Sequence, residues 1–331
     1  MNTDAREPTL TVPTAAWDKS RGTVRPARAL IEMPTLLLIV GVYGGWLTLT
    51  YHYGRWPLWI VAPLTAVLLT LHSSVQHEVV HGHPTPWRAL NRLFGMVPLS
   101  LWLPFDRYRR NHLVHHNNER LTDPLDDPES YYLTPEHWSH LSPLVRTILQ
   151  VQQTLAGRIL IGSFWRIARF LRGEIRAVVR NDEGKRAIWF EHLLWCLPVL
   201  TWLAFICRMP LWIYVVTMVI PGNGLLLIRS FAEHRARPDV PERTAIVEGS
   251  WIFGPLFLFN NLHAMHHEEP AMPWYEYNAR YRLIRQRLIT ENAGLVYTTY
   301  FDVARRFLFR PHDGLRHPTG RVPSAAQAGS S

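Results

Sequence analysis

Three groups of histidines are spaced as metal ligands are. They are His77-Glu78-Val79-Val80-His81, His112-Leu113-Val114-His115-His116 and His263-Ala264-Met265-His266-His267. On a helix, positions i, i+3 and i+4 share a face, so each group can aim its imidazoles at one point. Eight imidazoles in three such clusters suggest a single convergent site. Ligation by nitrogen without thiolate suits iron, zinc, copper or nickel. A zinc ion takes three or four protein ligands, so eight are too many for one ion and two metals are implied. The chain has 17 His and only 2 Cys, which excludes a thiolate cage or a disulfide scaffold. Cys196 and Cys207 share one apolar run and read as small buried hydrophobes.

The elements that must position these groups are apolar. Of 331 residues, 47% are hydrophobic and 18% charged, which argues against a disordered or collagen-like chain. The apolar residues are concentrated in two blocks, residues 34–75 and 187–230, each broken by a polar turn that carries Arg55 or Arg208. Each half-block approaches the roughly 20 apolar residues that span a bilayer, and Trp and Tyr stand at the ends as at a membrane interface. The expected fold is all-α, an integral membrane protein with two transmembrane helical hairpins (four spans) and a cytoplasmic helical cap holding a histidine-rich di-metal site. Pro221-Gly222-Asn223-Gly224 is expected to break the fourth span. With a bilayer beside two ions and no sulfur, oxygen chemistry on a lipid-like substrate follows, for which iron can change redox state and zinc cannot.

Charge gives an orientation. Of the 35 Lys and Arg, only Arg55 and Arg208 lie in the hairpin turns; the other 33 lie before the first block, between the blocks, or from Arg229 onward. By the positive-inside rule both termini and the central segment face the cytoplasm. The net charge of +9 is therefore assigned to lipid headgroups rather than to nucleic acid. The domain plan is a cytoplasmic N-terminal tail at 1–33, the first hairpin at 34–75 and a cytoplasmic segment with boxes one and two at 76–186. The second hairpin follows at 187–230, a cap with box three at 231–311 and a disordered tail at 312–331. The leading residues are polar and proline-rich, so no cleavable signal peptide is expected. Leu93–Phe105 is apolar but too short to span and reads as re-entrant or interfacial. Ser142–Arg180 interleaves Arg with apolar residues at helical spacing, the pattern of a helix lying on the cytoplasmic leaflet.

Three boxes of the form HxxxH, HxxHH and HxxHH around two membrane hairpins resemble the membrane-bound fatty-acid desaturase and hydroxylase superfamily, whose three histidine boxes hold two irons. The acidic run Asp123-Pro124-Leu125-Asp126-Asp127-Pro128-Glu129 is similar to that family's Asp-Pro-rich turn. Asn260-Asn261-Leu262-His263 through Pro270, followed by Met272-Pro273-Trp274-Tyr275, is similar to its third-box signature. The resemblance covers roughly residues 35–290 and implies a ninth ligand, His234, on the extension of the fourth span. It implies a metal set of His77, His81, His112, His115, His116, His234, His263, His266 and His267, with His83 a competitor at box one. It further implies two non-haem Fe ions, O2 as co-substrate, and desaturation of a fatty acyl or lipid-like chain; hydroxylation or keto-group formation are the alternatives within the family. Glu78, Asp126 and Glu268 are expected to orient imidazole N–H groups, and Asn261 or Asn260 to act through a water.

The chain shows no dinucleotide fingerprint, no phosphate-binding loop and no cysteine cluster, so electrons are expected from a separate donor such as ferredoxin or a cytochrome/reductase system. The expected location is a bacterial inner membrane. A rival reading comes from His77-Glu78-Val79-Val80-His81, which is literally the HExxH motif of zinc metalloproteases, with Glu78 as general base. It leaves both HxxHH groups without a role. A metal transporter would place its ligands at mid-membrane, where Pro221–Gly224 has no histidine beside it.

Overall fold

The computed structural model describes residues 31–116, 119–182 and 184–318. The sequence assignment of a tail at 1–33 lies outside these residues apart from its last three positions, and so do residues 319–331.

Among the described residues, four helices are long and apolar enough to cross a membrane: Met33–Tyr51, Leu58–Val80, Lys185–Ile206 and Leu211–Glu233. Their outward faces carry exposed Leu37, Val40, Trp59, Leu197 and Phe205, as lipid-facing helices do. The first span packs along the second, and the second along the fourth. The second–fourth contact is close because Gly222 has no side chain; a Cβ there would come within 2.9 Å of the Ala66 carbonyl oxygen. Thr70 Oγ1 donates to the Gly222 carbonyl at 2.9 Å across this contact. The third span joins through Val199 and Leu203, which share a buried cluster with Trp46, Leu49 and Met218.

Several sequence expectations change here. Pro221–Gly224 does not break the fourth span, which runs continuously from Leu211 to Glu233. A π-helical turn at Val215–Val219 directly precedes the proline and absorbs its missing N–H. The second span does not stop at residue 75; its helix continues to Val80, so His77 lies within it and His81 caps it. Residues 142–180 are not one helix but three, Pro143–Val151, Leu155–Leu160 and Gly162–Arg180. Arg158 turns inward, its guanidinium 4.7 Å from the Tyr131 ring centroid and its Nε donating to Gln152 O at 3.0 Å. The apolar stretch 93–105 enters the interior of the bundle: Leu99 is fully buried and its carbonyl accepts from Tyr214 Oη at 2.6 Å.

The disordered tail cannot begin at His312. His312 is buried, its backbone N–H donating to Gln153 O at 2.8 Å and its Nε2 2.8 Å from Tyr297 Oη. His317 is buried too, with Nε2 3.0 Å from Thr122 Oγ1, so residues 312–318 pack against the rest. The fold is mostly helical rather than strictly all-α. A two-residue parallel ladder pairs Ile246–Val247 with Val296–Tyr297.

Candidate metal centre

Box one sits on the last turns of the second span and box two ends the helix Phe105–His116. Box three lies on the short helix His263–Glu268, and His234 caps the fourth span. These elements bring all nine histidines into two adjoining groups. One holds His77, His81, His112, His116 and His266; the other holds His115, His234, His263 and His267. Within each group the ligand atoms all lie within 4.8 Å of one another.

The imidazoles face inward through Nε2. His77 and His266 approach at 3.0 Å, His81 and His112 at 3.1 Å, and His116 and His266 at 2.9 Å. In the other group His263 and His234 meet at 2.9 Å, and His267 and His263 at 3.2 Å. The outer nitrogens of five of them are held by a side chain or a backbone carbonyl. His112 Nδ1 is 3.0 Å from Glu129 Oε1 and His115 Nδ1 is 2.9 Å from Asp127 Oδ1. His263 Nδ1 is 2.9 Å from Asn260 Oδ1, and His266 Nδ1 is 2.8 Å from Tyr277 Oη. His234 Nδ1 is 3.3 Å from the Arg243 carbonyl.

This pattern decides the tautomers. A carboxylate or carbonyl behind Nδ1 takes the proton there and leaves the Nε2 lone pair pointing inward. Buried lone pairs about 3 Å apart repel unless something electron-poor lies between them. Burial and neighbouring imidazoles hold His116, His263, His266 and His267 well below the usual histidine range, which keeps them neutral and able to ligate. Burial, then the charge of His115, brings His234 down to about 3. His115 differs: burial opposes its charge, but the Glu129 and Asp127 carboxylates outweigh it and push it up to about 9, so a bound cation must displace its proton before Nε2 can ligate. The donor set therefore fits a pair of nitrogen-preferring cations, one in each group.

The outer residues differ from the sequence expectation. Asp126 is bound to Arg120 at 2.7 Å, and its neighbours Asp127 and Glu129 are the carboxylates that reach imidazoles. Glu268 pairs with Arg287 on the surface. Of the two asparagines expected near the centre, Asn261 donates to Val247 O at 2.6 Å, and Asn260 stands between His263 and His77, 3.3 Å from the latter's Nε2. Glu78 lies 3.7 Å from His77 Nδ1 and accepts from the Trp274 amide. That is the outer edge of the imidazole, the wrong side for a metalloprotease base. His83 belongs to neither group, since its Nδ1 is 2.7 Å from Glu32 Oε1. Tyr277 and Glu233, the latter 3.4 Å from His263 Nδ1, had no signal in the spacing.

Compared with curated protein sequences, the chain finds no match. The family model described as fatty acid desaturase matches residues 54–301, a stretch that includes all three boxes and His234. By fold, histidine arrangement and that match, the chain belongs to the fatty acid desaturase family.

Proposed function

We propose that this protein is a membrane di-iron enzyme that uses O2 and two electrons from a separate donor to introduce a double bond into a fatty acyl or lipid-like chain. The observation that carries this reading is the inward convergence of nine Nε2-facing imidazoles in two groups, at the ends of spans that reach into lipid. Two bound irons would supply the redox chemistry: reduction of O2 to water with removal of two vicinal hydrogens from an unactivated pair of methylenes. The chain's own residues do the rest. The five-histidine and four-histidine groups each hold one ion, and Asp127, Glu129, Asn260 and Tyr277 fix the imidazole orientations from behind. Burial of His112, His115, His263 and His266 excludes bulk water from the reacting centre.

The charge distribution supports a cytoplasmic site, with both termini on the same side of a bacterial inner membrane and the spans paired as two hairpins. The donor, a ferredoxin or a cytochrome/reductase system, would then meet the centre from the cytoplasm.

The test is lipid profiling after expression in a host with a compatible donor, together with metal analysis of the purified protein. New double bonds and iron are expected. New alcohols or ketones would reassign the reaction to hydroxylation or keto-group formation at the same site. One zinc without iron would overturn the proposal.

A further inference from the structure

The segment after the fourth span carries a second apolar surface. Trp251, Phe301 and Phe309 are each about four-fifths exposed (84%, 79% and 79%), and Ile252 and Leu308 are exposed beside them. On the helix Tyr300–Phe307, Tyr300 and Val303 face inward, while Phe301 shares the outward face with Arg305 and, one turn further, Leu308. A soluble surface seldom exposes this much clustered aromatic area.

Depth decides what covers it. Their neighbours along the chain belong to one buried cluster, in which Phe253, Leu256, Tyr300, Val303 and Phe307 pack with Leu155, Ile159 and Ile228. That cluster rests on the spans inside their apolar length. Ser74 of the second span donates to Leu256 O at 3.0 Å, one turn on the bilayer side of His77. The helix Leu155–Leu160 lies against the fourth span: a Cβ at Gly224 would stand 3.4 Å from Ile159 O, and one at Gly162 would stand 3.1 Å from Leu227 Cδ1. Gly224 precedes His234 by ten residues, roughly 15 Å along a helix axis towards the bilayer. Leu308 is tied to this level, because its carbonyl accepts from the Ala156 N–H at 3.1 Å. Exposed Leu160, Ile161 and Phe164 continue the apolar surface from the spans towards it.

We infer that Trp251, Ile252, Phe301, Leu308 and Phe309 are embedded in the lipid interface, so that the segment after the fourth span is a membrane-bound element and not a wholly aqueous cap. Arg310, exposed at the end of this element, is placed to meet anionic headgroups, while Arg305 and Arg306 pair with Asp302 at 3.2 and 2.7 Å. The same cluster includes Val247, whose N–H is 2.9 Å from Asn261 O, so lipid contact here also steadies the frame of box three. The inference holds whichever side of the membrane the site faces and does not depend on the reaction catalysed.

The experiment places a bimane label at Phe309→Cys, and separately at Phe301→Cys, in the full chain with Cys196→Ser and Cys207→Ser. The protein is reconstituted into vesicles of phosphatidylcholine and phosphatidylglycerol, with lipid brominated near the top of the acyl chain as one quencher and aqueous iodide as the other. A label at Val40→Cys, exposed on the first span, is the lipid reference. Bromolipid should quench both test labels at least half as strongly as Val40→Cys, and iodide should quench them less than free dye. Weaker bromolipid quenching at both positions, with or without iodide access, overturns the inference and would leave the patch as a surface for a soluble protein. All three labelled side chains are exposed, so a folding defect is not expected; retention of the metal content of the unlabelled protein checks it.

Discussion

In the five-histidine group, the Glu129 carboxylate backs His112 and Tyr277 backs His266, and Glu78 stands 3.7 Å from His77. In the four-histidine group, Asp127 backs His115 with a fully buried carboxylate, and Glu233 stands 3.4 Å from His263 with Arg229 paired to it at 2.7 Å. The ligand type is the same throughout, so a difference between the two ions comes from ligand number, five against four, and from what stands behind the imidazoles. Each group has one carboxylate bonded to an imidazole, but Asp127 in the four-histidine group is fully buried while Glu129 in the five-histidine group is partly exposed; Asn260 and the Arg243 carbonyl brace His263 and His234 without charge. Anionic partners raise ligand basicity and hold metal more tightly, while neutral ones fix orientation alone.

Removing a ligand from either side should have the largest effect. His263→Ala and His266→Ala are each expected to abolish product, with iron per chain falling by about one half if the groups load separately, as elemental analysis would show. Loss of all iron from both variants would mean that the groups load as one unit and would erase the comparison. Asp127→Asn should come next, costing on the order of 10- to 100-fold in activity or metal affinity, measured by product rate and chelator competition. Tyr277→Phe, which removes one neutral hydrogen bond from the other group, should cost about 1 kcal/mol, several-fold in rate. An equal loss in those two variants would remove the distinction between charged and neutral bracing. Asp126→Asn and Glu268→Gln, whose carboxylates face arginines, should change activity less than about twofold in the same assays.

A smaller, pH-dependent effect belongs to the C-terminal segment, away from both groups. Burial, and then the positive charge of Arg235, lowers His312 to about 4 from its ordinary 6.5. The unfolded segment therefore binds the proton more readily, and docking is strongest above about pH 6.5 and weakens as pH falls towards 4, by at most about 3 kcal/mol. Hydrogen-exchange protection factors across residues 308–317 should fall over that interval, and His312→Gln should flatten the fall.

Much of the centre was legible because helical spacing is a strong constraint. An HxxHH run can point its imidazoles one way only if it is helical, and both such runs are. His234 was legible only through the family resemblance, since a lone histidine has no spacing. The acidic turn could not be resolved by sequence. In Asp123–Glu129 the carboxylate that reaches His115 is fixed by turn geometry, with Asp127 Oδ2 accepting from Thr122 N at 2.8 Å and Oδ1 from Glu129 N at 2.9 Å. This folds Asp126 outward to Arg120. Tyr277 lies eleven residues from the imidazole it holds, beyond the reach of any local rule. Pro221–Gly224 misled because proline and glycine usually end helices, whereas here a π-helical turn and a close crossing with the second span accommodate them.

The central claim, a paired iron centre held by these two groups, is tested most directly by iron and zinc analysis of the intact protein purified from membranes, alongside Mössbauer spectra of iron-57-loaded material. Two irons per chain are expected, resolved as two unequal sites because their bracing differs. A single zinc with no iron, or one iron unaffected by His263→Ala, would contradict it.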